Sequence, residues 1–341
     1  MPELGKVDRE FFDEHIYPYL GADRDDVTLG PQHGVDFGVL SVGEKAMAMA
    51  TDPVFVMPSL GFERAAWFAF HILVSDVAVS GMAPTHLSVD LNLPPEITDE
   101  QFRTLWETFD REAEKLDVAV VTGHTARYAG CNYPMVGGAT AVSVGDPEEL
   151  VRPNGARVGD RVIVTKGPAI EATGLLSIQF EELMAESMDA DDIAAAQDRF
   201  YDMSPVEDAL TAAAAGPVTA MHDATECGVY GGLYEVARAG DVGIEVERDR
   251  IPVQPGVLAA CEFFDIDPWS SISEGTLLAT VRPEGVDDVL AALEDAGIPA
   301  ADVGAVTEGS GVTVDGEAID HPGVDPFWGT FEEYMEKLQA E

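Results

Sequence analysis

The chain has 341 residues, enough for two domains, and its 46% hydrophobic content can supply real cores, which excludes a chain disordered throughout. Asp and Glu number 63 against 19 Lys and Arg, a formal net charge of −44, and only five of the basic residues are Lys. Such a balance excludes nucleic acid and anionic membrane surfaces as partners, since both demand basic patches. It suits instead a halophilic protein in molar salt, where charge repulsion is screened within a few ångströms.

Cys131, Cys227 and Cys261 are few, odd in number and far apart, which excludes a disulfide framework or a cysteine-type zinc site. The opening MPELGKVDREFF carries no apolar signal core, and no segment supplies the roughly 18 apolar residues of a membrane span. A cytoplasmic protein is the expectation.

In chain order, Asp8 to Leu20 reads as a helix, and Phe37–Ser41 and Ala46–Thr51 read as strands. From Glu63 to Gly81, Trp67, Phe70, Val74 and Val77 share one helical face, with Gly81 and Pro84 marking the stop. THLSVDLNL alternates as a strand; Thr98 and Asp99 then cap a helix to about Leu116, VAVVTG reads as a buried strand, and MVGGATAVSVG as another. The turn-rich DPEELVRPNGARVGD, Asp146 to Asp160, marks a domain junction.

RVIVTK opens the second half as a strand, followed by a helix after Pro168 and an acidic helical insert over Phe180–Tyr201. Ser204-Pro205 predicts a helix with Ser as N-cap and Pro at its first position. A strand to about Met221 leads through a glycine-bearing turn into a helix over Leu233–Ala239. Helices over Val257–Phe264 and Val286–Ala296 then alternate with strands to about Val314, and FWGTFEEYMEKLQAE closes the chain as an amphipathic helix. The expected class is α+β (α/β) in two halves.

The sequence holds no GxxxxGK[ST], no GxGxxG after a strand, no HExxH and no GxSxG, and its seven His lack ligand spacing. What stands out is a set of Asp residues at the ends of apolar segments: Asp36 in HGVDFGV, Asp52 in MATDPVF, Asp76 in LVSDVAVSG and Asp223 in MHDATECGVYGG. A carboxylate in an apolar run is costly unless it is paired or holds a cation. Carboxylates are also the ligands that magnesium with a nucleotide prefers, although each Asp taken singly reads more readily as a cap or turn residue.

These segments, in this order and spacing, resemble the superfamily of aminoimidazole ribonucleotide synthetase (PurM-like), which includes thiamine monophosphate kinase, selenophosphate synthetase and the hydrogenase maturation protein that converts a carboxamide to a nitrile. LVSDVAVSGMAPTHLSVDL is similar to the "VNDVAVSGA.P..LS" of the maturation branch, MHDATECGVYGGLYEVA to its "MRDPTRGGL…LNE", and SISEGTLLATV to its "NEG" strand. HGVDFGVLSVG and TDPVFVMP resemble the first two Asp-bearing strands. The resemblance covers about residues 30 to 310. It implies an N-terminal domain over 1–150 that binds ATP and forms a dimer barrel, a C-terminal α/β domain over 155–320, and a final helix over 321–341. It further implies a homodimer with a small-molecule substrate, activated at an oxygen by the γ-phosphoryl group of ATP with Mg2+. Carried over residue by residue, Asp36, Asp52 and Asp76 match magnesium and ATP residues, and Asp223 an acidic residue of the second domain. Gly123, Thr125, Thr225 and Gly228 match nucleotide-contacting positions.

Departures narrow the activity. VVTGHTARY places His124 where kinase-like members carry Asp, and a histidine there suits phosphate or substrate contact better than magnesium. Lys166 in VTKGPAIEATG is similar to a lysine of the selenophosphate branch, and a lysine at a strand end can hold phosphate as a point charge. Glu226 stands where the maturation branch has Arg, and Cys227, where it has Gly, reads as a small buried thiol. The chain ends EYMEKLQAE, without the carboxamide-carrying Cys of that branch. The competing expectations are a cyclo-ligase or selenophosphate synthetase activity, or a nucleotide-binding regulatory dimer without turnover.

Overall fold

The computed structural model describes residues 6–340, and its strands gather into two sheets that divide at the loop 146–160. The first five residues of the opening stretch and Glu341 of the closing helix lie outside the described residues. Where a helix over Asp8–Leu20 is expected, α1 (Arg9–Phe11), capped by the Asp8 carboxylate, runs on through a wider turn at 12–16 and a tighter one at 17–19.

The first sheet contains β1 (Val27–Leu29), β2 (Gly38–Val42), β3 (Lys45–Phe55), β4 (Pro84–Leu93), β5 (Ala119–Arg127) and β6 (Met135–Gly145), in the order β1-β2-β3-β6-β4-β5. All pairings are antiparallel except β4 with β5. Helix α2 (Phe62–Ala78) lays Phe68, Phe70, Leu73, Val74 and Val77 into the core between this sheet and α3 (Asp99–Lys115). α3 begins where the sequence places it, because Thr98 and Gln101 form a reciprocal capping box.

β5 corrects one expectation. VAVVTG reads as buried, yet β5 is the exposed edge of the sheet in a single chain, with Val120 43% and Val121 59% exposed. Among the described residues, no element of the same chain covers it.

The second sheet contains β7 (Arg161–Thr165), β8 (Val218–Asp223), β9 (Gly243–Val246), β10 (Leu277–Val281), β11 (Ala300–Thr307), β12 (Gly311–Val314) and β13 (Glu317–Ile319), in the order β13-β12-β9-β11-β7-β10-β8. Its helices are α4 (Ile170–Gln179), α5 (Glu181–Met184), α6 (Ala190–Asp198), α7 (Val206–Ala215), α8 (Gly228–Gly240), α9 (Val257–Phe264), α10 (Val286–Asp295) and α11 (Pro326–Ala340). β10 is buried at every residue because helices cover both faces of the sheet. Side chains from the two halves meet where Trp67 and Phe68 of α2 pack on Phe200, so one core runs through both.

The Ser204 cap is a second correction. α7 starts at Val206 after Pro205 with no side-chain cap, and the Ser204 hydroxyl instead pairs with His71 Nδ1 at 2.8 Å across the seam between the halves. Among the described residues, no helix is long and apolar enough to cross a membrane.

Candidate functional site

Four chain segments far apart in sequence deliver carboxylates to one place at the seam. Asp36 stands just ahead of β2, Asp52 lies in β3, Asp76 in the last turns of α2, and Asp223 ends β8. The two halves of this set meet through His222. Its Nδ1 lies 2.8 Å from Asp36 Oδ2, and its Nε2 lies 2.8 Å from Glu235 Oε2 on α8. Gly34, at φ +74, lets the chain pass so close to α8 that a Cβ there would stand 2.9 Å from Glu235 Oε1.

The electrostatics follow from crowding like charges in partial burial. Burial, then the charges of Asp52, Asp223 and Asp36, push Asp76 well above the ordinary carboxylate range. Burial also raises Asp52, against a hydrogen bond from Asp76. Asp223 is pushed up to about 7 by burial and by the Asp36 charge. Two glutamates extend the cluster. Burial pushes Glu171 on α4 up to about 8, against a hydrogen bond from the Glu274 N–H. Glu274 rises well above its ordinary range through burial and the charges of Asp223 and Glu171.

Two cations answer this charge. Burial opposes the imidazolium of His222, but Asp36 and Glu235 more than offset it and hold its pKa well above the usual value. Burial alone would raise Glu235, yet the His222 bond and charge hold it down at about 2. Lys6, on the arm before α1, reaches in from the surface. Its Nζ donates to Thr225 Oγ1 at 3.3 Å and its N–H to Glu226, and the nearby Asp76, Glu235, Glu226 and Asp52 keep it charged against burial.

Asp52 Oδ2, both oxygens of Asp223 and Glu274 Oε1 are buried and accept no hydrogen bond. Buried polar atoms without partners are rare, and unpartnered carboxylate oxygens are what a divalent cation would satisfy. The donor set therefore fits magnesium, with Asp36, Asp52, Asp76 and Asp223 to hold it. The loop after β8 closes the site: Thr225 O accepts the N–H groups of Gly228 and Ser273, and the Asp325 carboxylate accepts the Cys227 N–H at 2.6 Å. Gly228, at φ +56, is required there, since a Cβ would lie 2.3 Å from Ser271 O.

Asp36, Asp52, Asp76, Asp223, Thr225 and Gly228 are thus brought together. Lys166, His124, Gly123 and Thr125 are not. The Lys166 ammonium is buried on the carbonyls of Asp202, Ser204 and Gly275 and on Asp208 Oδ2 at 3.0 Å, leaving no hydrogen for a phosphate. His124, between Gly123 and Thr125 on the exposed β5, pairs its Nε2 with the Tyr128 hydroxyl at 2.9 Å. Sequence reasoning missed His222, Glu235, Lys6, Glu171 and Glu274. His222 and Glu274 sit inside segments already singled out, and Lys6 is one of five lysines in a strongly acidic chain.

Residues 34–151 match the family model described as AIR synthase related protein, N-terminal domain, and residues 157–317 match its C-terminal domain. The carbamoyl dehydratase HypE of Rhizobium leguminosarum bv. viciae is 30% identical over 263 residues, 76% of this chain and 73% of its own length. The crystal structure of E. coli HypE, a hydrogenase maturation protein, superposes with a TM-score of 0.70 at 26% identity, covering 82% of this chain and 87% of that one. The hydrogenase maturation protein HypE in complex with ATP shares the fold, with a TM-score of 0.66 at 22% identity and 93% coverage of both chains.

Proposed function

Because the chain belongs to the AIR synthase related protein family, on the branch of the carbamoyl dehydratase HypE, we propose that this enzyme uses magnesium and ATP to phosphorylate an oxygen of a small metabolite and so activate it. The observation that carries the reading is the convergence of Asp36, Asp52, Asp76 and Asp223, with buried oxygens left unpartnered. A solved relative bearing ATP, the maturation protein HypE, supports the choice of nucleotide.

Bound magnesium would neutralise the charge on the transferring phosphoryl group. The chain's own residues do the rest. Asp36, Asp52 and Asp76 would hold the ion from the first sheet and α2, with Asp223 facing them from the second sheet. Transfer forms a bond between the acceptor oxygen and the γ-phosphorus and breaks the bond to the β-phosphate bridging oxygen, releasing ADP. The proton of a hydroxyl acceptor passes to a carboxylate of the cluster that does not hold the ion. Lys6 and Thr225 face the phosphate side, and Glu171 and Glu274 line the acceptor side. Residues 6–150 and 155–320 act as the two domains that meet at this seam, with α11 as an appended helix.

The exposed apolar edge of β5 supports a homodimer that completes a shared barrel. The acid-rich surface supports work in molar salt. The test is calorimetric titration of ATP in molar KCl, with and without magnesium, on the wild type and on Asp52→Asn. Magnesium-dependent binding that disappears in the variant is expected. Absence of binding at any magnesium concentration overturns the reading.

A further inference from the structure

We propose that His222 joins Asp36 and Asp223 as a ligand for a divalent transition-metal ion of the manganese type, which the cluster selects over magnesium. The inference replaces magnesium in the reading above with a manganese-type ion, and rests on that reading for the ion's use in turnover. Ion binding itself is measured without nucleotide, so either reading can fail alone.

Three observations carry it. One ligand atom from each of Asp36, His222 and Asp223 lies within 4.8 Å of the others, a spacing that one ion can bridge. Asp223 is 1% exposed, and neither of its oxygens has a hydrogen-bond partner, so the set is already desolvated and Asp223 has both oxygens free to ligate. The third is the support behind the ring. His222 Nε2 is turned to the Glu235 carboxylate at 2.8 Å, which leaves Nδ1 on the side of Asp36 and Asp223. Metal-bound histidines are oriented in this way, the second nitrogen donating to a carboxylate that fixes the ring and makes the ligating nitrogen more basic.

The ligand chemistry then chooses the ion. Magnesium takes oxygen ligands and gains little from imidazole, whereas affinity for mixed nitrogen and oxygen sites climbs through the later divalent ions. Two carboxylates with one imidazole suit manganese, cobalt or zinc. As the ion enters, the Nδ1 proton passes to solvent, and the ion takes over the contact with Asp36 that the proton made.

The rival is that His222 serves only as a cationic clamp between Asp36 and Glu235. His222→Arg separates the two, because arginine keeps a cation between both carboxylates but has no lone pair to give. MnCl2 is titrated into the nucleotide-free protein and free Mn2+ is read by electron paramagnetic resonance, with a parallel competition by MgCl2. The wild type is expected to prefer Mn2+ by about tenfold or more. His222→Arg should lose that preference while keeping its unfolding midpoint, and Glu235→Gln, which removes the carboxylate behind the ring, should weaken Mn2+ binding about 10–100-fold. Equal binding of the two ions by the wild type, or unchanged Mn2+ affinity in His222→Arg, overturns the proposal. Should His222→Arg fail to fold, the visible absorption of the Co2+-loaded wild type decides: bands of nitrogen-containing coordination support the site, and those of an all-oxygen shell overturn it.

Discussion

Glu171→Gln should stabilise the ion-free protein, and more so the higher the pH. Glu171 lies on α4 beside Glu274, and burial lifts its pKa from 4.5 to about 8. A carboxyl whose folded pKa is raised favours its protonated form in the native state. Its contribution therefore turns against the fold as pH climbs from the unfolded value to the folded one. Between about pH 6 and about pH 8.5 the shift corresponds to about 2.5 kcal/mol, taking about 1.36 kcal/mol per unit. Glu171 is not sealed wholly from water, so about half of that is the expectation. Glutamine keeps the oxygen that accepts the Glu274 N–H at 3.3 Å, so the substitution removes the ionisation and little else. Urea unfolding of both proteins at the two pH values measures the effect. The advantage of the variant should grow by about 1–2.5 kcal/mol between them, and an advantage that is the same at both would refute the burial argument.

Two further outcomes test other parts of the molecule. Lys166→Met should cost about 3–5 kcal/mol by leaving Asp208, 1% exposed, as a buried charge without its partner. The ATP affinity of the folded fraction should stay unchanged, and calorimetry showing lost affinity at full stability would instead put Lys166 on phosphate. Val121→Glu on the exposed face of β5 should convert a dimer to a monomer in analytical ultracentrifugation, and a monomeric wild type would sink the shared barrel.

The parts of the site that were legible in the sequence are the ones that break a local rule. Asp76 in ILVSDVAVSG violates the apolar pattern of α2, and that violation marked it before any fold was known. The Thr98 box and the Val257–Phe264 helix were legible because their signals are complete within a few residues. His222 could not be weighed the same way, since its meaning comes from Asp36, 186 positions earlier, and from the turn of α8 that presents Glu235. Ser204-Pro205 carried a correct local signal for a cap, but the hydroxyl found a stronger claim in His71 across the seam. Lys166 likewise looked free for a ligand only until the carbonyls of Asp202, Ser204 and Gly275 closed on it.

Both cations of the cluster also tie the two halves together. Lys6 runs from the N-terminal arm to Thr225 and Glu226 of the second half, and His222 runs from the second sheet back to Asp36. The carboxylates they face, Asp52, Asp76 and Asp223, all have raised pKa values, so their ionisation works against the ion-free fold as pH rises. The same ionisation is what a divalent cation needs, because each ligand must be deprotonated to bind. Stability of the ion-free protein and affinity for the ion must therefore run in opposite directions with pH, through the same three residues. A cluster kept for packing alone would gain nothing from that opposition, and neutral side chains of the same size would serve it better. Lys6 and His222 answer part of the cost of holding these acids together, and the cation proposed above would answer more of it by entering between the two halves.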